Sequence, residues 1–155
     1  MKLVAILILF LTSSLLLNAQ KFVVKVVGVS DGDTFTAINR DNLQLKVRLF
    51  GIDAPEKKQD FSQRSKQALF DLIYLKTIII DVQHQDSWGR FIAYAYTDDG
   101  SDVSLKMLEN GWAWHFKKYD NTERYARAEI NARKKRLGLW SQQNPIPPWE
   151  YRKRK

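Results

Sequence analysis

The sequence predicts an α+β fold with a mainly β core: a five-stranded Greek-key barrel of the OB type carrying three helices. Three observations carry this expectation. Five short runs, 22–30, 34–39, 43–52, 77–83 and 91–97, have strand patterning and are rich in β-branched and aromatic residues. Between the third and fourth runs, and again after the fifth, the apolar period changes from that of a strand to that of a helix. No repeat and no long linker divides the 155 residues, so one domain with one core is expected. Five strands interleaved with helices close most readily as a small barrel.

The elements follow in order. Residues 1–19 read as an export signal: Lys2 is a short positive start, Leu3 to Leu17 is an almost unbroken apolar run, and Ala19 supplies the small residue before the cut. That run is short for a membrane span of about 20 apolar residues. Removing it with its one charge leaves a mature net charge of +7, one less than the full chain's +8. FVVKVVGVS (22–30) is a β-branched strand, and the DGD turn leads into TFTAIN (34–39). LQLKVRLFGI (43–52) alternates, with Leu43, Leu45, Val47 and Leu49 on one face and Gln44, Lys46, Arg48 and Phe50 on the other. SKQALFDLIYL (65–75) places Ala68, Leu69, Leu72 and Ile73 on one helical face. TIIIDVQ (77–83) and FIAYAYT (91–97) are strands joined through a loop containing DSWGR. The second helix is 101–111, with Ser101 as N-cap and Gly111 just past its end. The third is 120–138, with a capping box from Asp120 to Glu123 and a stop at Gly138. The domain is expected to span 22–140, and the remaining 141–155 to form a proline-extended, basic tail.

Charge narrows the function. Lys and Arg number 25 against 17 Asp and Glu, which favours a polyanion such as a nucleic acid as partner. Cysteine is absent, which excludes disulfides, thiolate nucleophiles and cysteine-based zinc sites; His84 and His115 are too few for a histidine metal cluster.

Against that basic background, carboxylates gather at two turns. Asp31 and Asp33 flank Gly32, and Asp53 and Glu56 surround Pro55. Each turn alone is ordinary backbone chemistry. Together they matter, because Asp33 opens the second strand and Asp53 closes the third, so a hairpin returns both to one edge. Carboxylates crowded there repel unless a cation sits between them, and oxygen donors without His or Cys select Ca²⁺ or Mg²⁺. A carboxylate left off the metal can orient or deprotonate water. Arg48, on the polar face of the same strand, and Arg90, after DSWG, add guanidinium forks that match phosphate oxygens. This set suits hydrolysis of a phosphodiester.

The motifs DGDT, RLFGIDAPE, DSWGR and GWAWHFKKY, in that order, resemble the staphylococcal nuclease (thermonuclease) family over about residues 22–140. FSQRSK and PIPPWE resemble features of its secreted bacterial members. The resemblance implies an OB barrel with three helices and a Ca²⁺-dependent nuclease of DNA and RNA, cutting P–O5′ and leaving 3′-phosphates. It implies that Asp33, Asp53 and the backbone carbonyl of Ala54 hold Ca²⁺. Glu56 is then the base or water-positioner, Arg48 and Arg90 bind phosphate, and Tyr119 contacts the nucleotide. It departs at Ala54, where the best-known member has threonine; at Lys117, where it has a base-stacking tyrosine; and at Ser87 and Trp88, where it has lysine and tyrosine. Lys117 and Trp88 are candidate substrate contacts on that alignment, and the loop after Glu56 is shorter. The expected protein is an exported monomer, secreted or periplasmic, free of the membrane once the signal is cleaved. The alternative is a catalytically inert OB module that binds nucleic acid; three acids facing an anionic ligand argue against it. Trp112, Trp114 and Phe116 read as core and His115 as surface or structural. Arg133–Arg136 reads as a solvated helix face, and Arg152–Lys155 either as a grip on polyanions or as a disordered end.

Overall fold

The structure, a computed structural model, describes residues 20–154, so the export signal expected at 1–19 lies outside the described residues. Five strands close into a barrel: β1 (Gln20–Val29), β2 (Thr34–Ile38), β3 (Gln44–Leu49), β6 (Phe91–Tyr96) and β5 (Thr77–Gln85), in that spatial order. Neighbours run antiparallel except β3 and β6, which are parallel. A parallel pair needs a long crossover, and here it passes through α1 (Ser62–Ile73) and β5. The period-two pattern fills the interior: Val24 and Val26, Phe35 and Ala37, Val47 and Leu49, Ile78 and Ile80, Ala93 and Ala95 are all buried. Val23, Val27 and Ile79 stand on the outer face. Leu69 and Ile73 of α1 join the barrel core.

The third expected strand is broken. Gly51 adopts φ +78° after β3, and Ile52–Asp53 form a separate strand, β4, paired with β7 (Trp114–His115). A Cβ on Gly51 would lie 2.9 Å from Tyr125 Cε2 and 3.2 Å from the Asp120 carboxyl carbon, so a side chain is excluded where the chain turns. α1 begins three residues earlier than expected. α2 (Val103–Glu109) is capped by Asp102 rather than Ser101: the Asp102 carboxylate accepts from the Leu105 N–H at 3.0 Å. Asp102 also accepts from the Tyr125 hydroxyl and from Arg124 at 2.6 Å, tying α2 to the third helix, α3 (Glu123–Lys134). α3 spans Glu123–Lys134, shorter than 120–138. Asp120 does not cap Glu123; it accepts from the Thr122 N–H and hydroxyl and pairs with His115 at 2.8 Å. His115 is buried in this structural contact. Gly138 opens a 3₁₀ turn, Gly138–Ser141, after Arg136 has already left helical geometry.

The tail departs most from expectation. Instead of remaining extended, Pro148–Lys153 forms a fourth helix, α4, with Pro148 at its first position, where a missing N–H costs nothing. Trp149 stacks on Phe116 (5.3 Å, 6°) and meets Trp114 edge-on at 5.6 Å. Burying that aromatic surface docks the tail onto the domain, so the folded unit continues well past residue 140. Arg133 likewise is no plain solvated charge. Its guanidinium lies 4.0 Å from the Trp140 ring centre and 4.7 Å from that of Trp114, and it bonds Glu129.

Candidate active site

One mouth of the barrel gathers both acidic turns. In the β2–β3 ladder Thr34 lies opposite Arg48, and the Leu49 N–H donates to the Asp33 carbonyl at 2.8 Å, so strand register brings Asp33 beside Arg48. The β4–β7 pair fixes Asp53 opposite Trp114. Arg48 then bridges the two acids: Nη2 donates to Asp33 Oδ2 at 3.2 Å and to Asp53 Oδ1 at 2.8 Å, while Nη1 reaches the Ile52 carbonyl. Asp33 also accepts from the Ala54 N–H and the Thr34 hydroxyl, each at 2.8 Å.

These contacts set the charge states. Burial works against the Asp33 carboxylate, but the Arg48 charge, the Ala54 N–H and the Thr34 hydroxyl outweigh it and hold its pKa below the usual value. Asp31 has weaker support, chiefly the Asp33 N–H at 3.1 Å. Burial, with the Asp33 charge beside it, pushes Asp31 up to about 7. Burial also pushes Asp53 up, against the pull of its guanidinium partners. Burial is thus the main force acting against the charged forms of Asp31 and Asp53 at this edge.

The residues expected at the site mostly converge on a single cleft of about 780 Å³. Asp33, Asp53, Ala54 and Glu56 line it together with Arg48 and Arg90, and the lining residues Trp88 and Tyr119 are exposed. Arg90 is held by its loop: Asp86 accepts from the Trp88 and Arg90 N–H groups at 2.9 Å and from Arg90 Nε at 2.8 Å. Lys117 departs from this group. It lies outside the cleft lining, with its ammonium 3.4 Å from Glu129, because that buried carboxylate draws in cations.

The sequence reading missed one participant. Arg152 of α4 enters the cleft, donating through Nη1 and Nη2 to Asp53 at 3.2 and 2.8 Å and through Nη1 to Glu56. A signal existed: Pro-Pro followed by Trp marks a helix start with an apolar anchor. Trp149 and Arg152, three apart, share a helical face, so docking the tryptophan presents the arginine.

Among the described residues no three His, Asp or Glu side chains stand together as a ready metal cluster; Arg48 and Arg152 separate the acids. The donor chemistry nonetheless fits a hard divalent cation. Asp33, Asp53 and the Ala54 carbonyl are oxygen donors only, gathered on the lining of one cleft.

Gly32 sets how closely the first acidic turn seats. A Cβ there would overlap the Ser65 hydroxyl, which is buried and donates to the Trp112 carbonyl, and would lie 2.8 Å from the Ala54 Cβ. Gly32→Ala is expected to lower stability by about 1–3 kcal/mol in urea denaturation, the usual scale for overpacking. A wild-type midpoint would show that the turn has slack.

Known proteins resemble this chain over most of its length. The family model described as staphylococcal nuclease homologue matches residues 46–142. The chain is 40% identical over 136 residues to an uncharacterized endonuclease of Haemophilus influenzae, covering 88% of this chain and 76% of that protein. It is 36% identical over 131 residues to an uncharacterized endonuclease of Escherichia coli, covering 84% and 85%. It is 38% identical over 112 residues to the staphylococcal-like nuclease CAN1 of Arabidopsis thaliana, covering 72% of this chain and 34% of that one.

Proposed function

This chain belongs to the staphylococcal nuclease homologues, and from that membership we propose a Ca²⁺-dependent nuclease that hydrolyses phosphodiester bonds of DNA and RNA at P–O5′, leaving 3′-phosphates. The observation that carries the reading is Arg48 bridging Asp33 and Asp53 in the cleft that also holds Glu56 and Arg90. A bound Ca²⁺, held by Asp33, Asp53 and the Ala54 carbonyl, would offset charge on the phosphate oxygens.

The chain's own groups do the rest. Glu56, on the cleft wall, accepts a proton from the attacking water. Its loop is braced by Gln59, whose side chain accepts from the Glu56 N–H at 2.9 Å and donates to the Ile146 carbonyl at 2.7 Å. Arg48 and Arg90 present donor forks to the phosphate, where charge grows in the transition state. Trp88 and Tyr119 offer exposed rings on the cleft lining, where bases of a single strand would stack. The apolar run at 3–17 supports export to the periplasm or the medium, and the mature charge of +7 supports a polyanionic substrate.

The test is incubation of residues 20–155 with single- and double-stranded DNA and RNA in Ca²⁺, Mg²⁺ or EDTA, followed by end-group analysis. The expected result is cleavage in Ca²⁺, none in EDTA, and 3′-phosphate ends. Undiminished cleavage in EDTA would remove the metal from the reading. Binding without cleavage under every condition would make the protein an inert OB module.

A further inference from the structure

The oxygens a divalent cation needs at this edge are oxygens that Arg152 holds. Both carboxylate oxygens of Asp53 accept from Arg152, and Oδ1 is shared with Arg48; the Glu56 Oε1 accepts from the same guanidinium. We infer that Arg152 is a built-in competitor of Ca²⁺, so that the C-terminal helix lowers the cation affinity of the site and the cation must displace the guanidinium to bind. This rests on the cation site proposed above.

Three observations support competition over simple coexistence. The Asp53 side chain is 1% exposed, and a guanidinium and a divalent ion sharing so sheltered a carboxylate would repel each other strongly. Arg152 and Arg48 are differently placed. Arg48 sits within the ladder of β3, 15% exposed, and bridges two acids, whereas Arg152 is 40% exposed on a helix of six residues near the chain end. Arg152 is thus the guanidinium that can leave. Its approach is also built into the fold: Trp149 stacks on Phe116, the Ile146 carbonyl accepts from Gln59, and Gln59 in turn braces the loop of Glu56. The tail and the acidic turn are therefore linked at two points, by that amide and by the guanidinium.

The experiment is calorimetric titration of Ca²⁺, without nucleic acid, into the mature chain and its Arg152→Ala, Arg152→Gln and Lys153→Ala variants. Lys153 is exposed on the same helix and bears the same charge, pairing only locally with Glu150. Coupling between two sites typically changes affinity about 5–150-fold. Both Arg152 variants are expected to bind Ca²⁺ at least about 10-fold more tightly than wild type, and Lys153→Ala to stay within about 2-fold of it. Equal or weaker Ca²⁺ binding in the Arg152 variants, with wild-type binding intact, would overturn the competition and leave the cation site standing. An equal gain in Lys153→Ala would reduce the effect to bulk charge and overturn it too. If no form bound Ca²⁺, the cation reading would fall, and this inference with it.

Discussion

Replacing Asp53 by asparagine is expected to reduce Ca²⁺-dependent cleavage by at least roughly 10²–10³-fold, the scale set by losing one group that acts on transition-state charge. Asp53 combines two roles. It is a proposed cation ligand, and it receives hydrogen bonds from two guanidiniums, Arg48 and Arg152. Asparagine keeps the shape but loses the charge, and its amide N–H₂ would face donors. A stability loss of about 1–3 kcal/mol should accompany the change, the usual cost of leaving a buried hydrogen-bonding group unmatched. Alanine is the harsher variant, because stripping one partner from a buried ion pair typically costs about 3–5 kcal/mol. Single-turnover cleavage of a short oligonucleotide reads the first effect and urea denaturation the second. Wild-type rates in Asp53→Asn would remove this carboxylate from the chemistry.

The arginines are expected to separate in a way their chemistry alone does not foretell. Arg48→Lys and Arg90→Lys should each slow cleavage by roughly 10²–10³-fold, equal to about 3–4 kcal/mol, because an ammonium keeps the charge but loses the fork. Only Arg48→Lys should also destabilise the protein, by about 1–3 kcal/mol. Arg48 bonds Asp33, Asp53 and the Ile52 carbonyl at once, a spread of acceptors that one ammonium does not span. Arg90 bonds Asp86 within its own loop and touches neither acidic turn, so its loss should fall on rate alone. Near-wild-type rates in both variants would remove the argument from fork geometry. Equal destabilisation by the two would show that the bridging contacts of Arg48 carry little energy.

The structure also explains which site features were legible beforehand. Asp33 and Arg48 were readable because one hairpin pairs their strands, whereas Asp53 was readable as an acid at a turn but reaches them through the Gly51 break and the β4–β7 pair. Lys117 was not. Its position follows from Glu129 on α3, a buried carboxylate that pairs with Arg133 on its own helix and draws in Lys117 from a separate segment. Asp102 displaced Ser101 as the helix cap for a similar reason: beyond its local bond to Leu105, it is held by Tyr125 and Arg124 from across the domain.

The sequence by itself determined the five barrel strands, the existence of three helices and the gathering of acids at two turns with Arg48 nearby. Each of these depends on period, turn chemistry or neighbours a few residues apart, and such signals survive without knowledge of the fold. Tertiary structure alone decided that β3 breaks at Gly51 and that Asp53 lies in a second small sheet with Trp114. It alone folded the proline-bearing tail into a helix and carried Arg152 to Asp53, 99 positions earlier in the chain. The physical reason is the same in each case. A bend that seats Gly51 against Tyr125, an indole stacked on Phe116 and a guanidinium drawn to a buried carboxylate are all stabilised by surfaces that exist only once distant segments have packed.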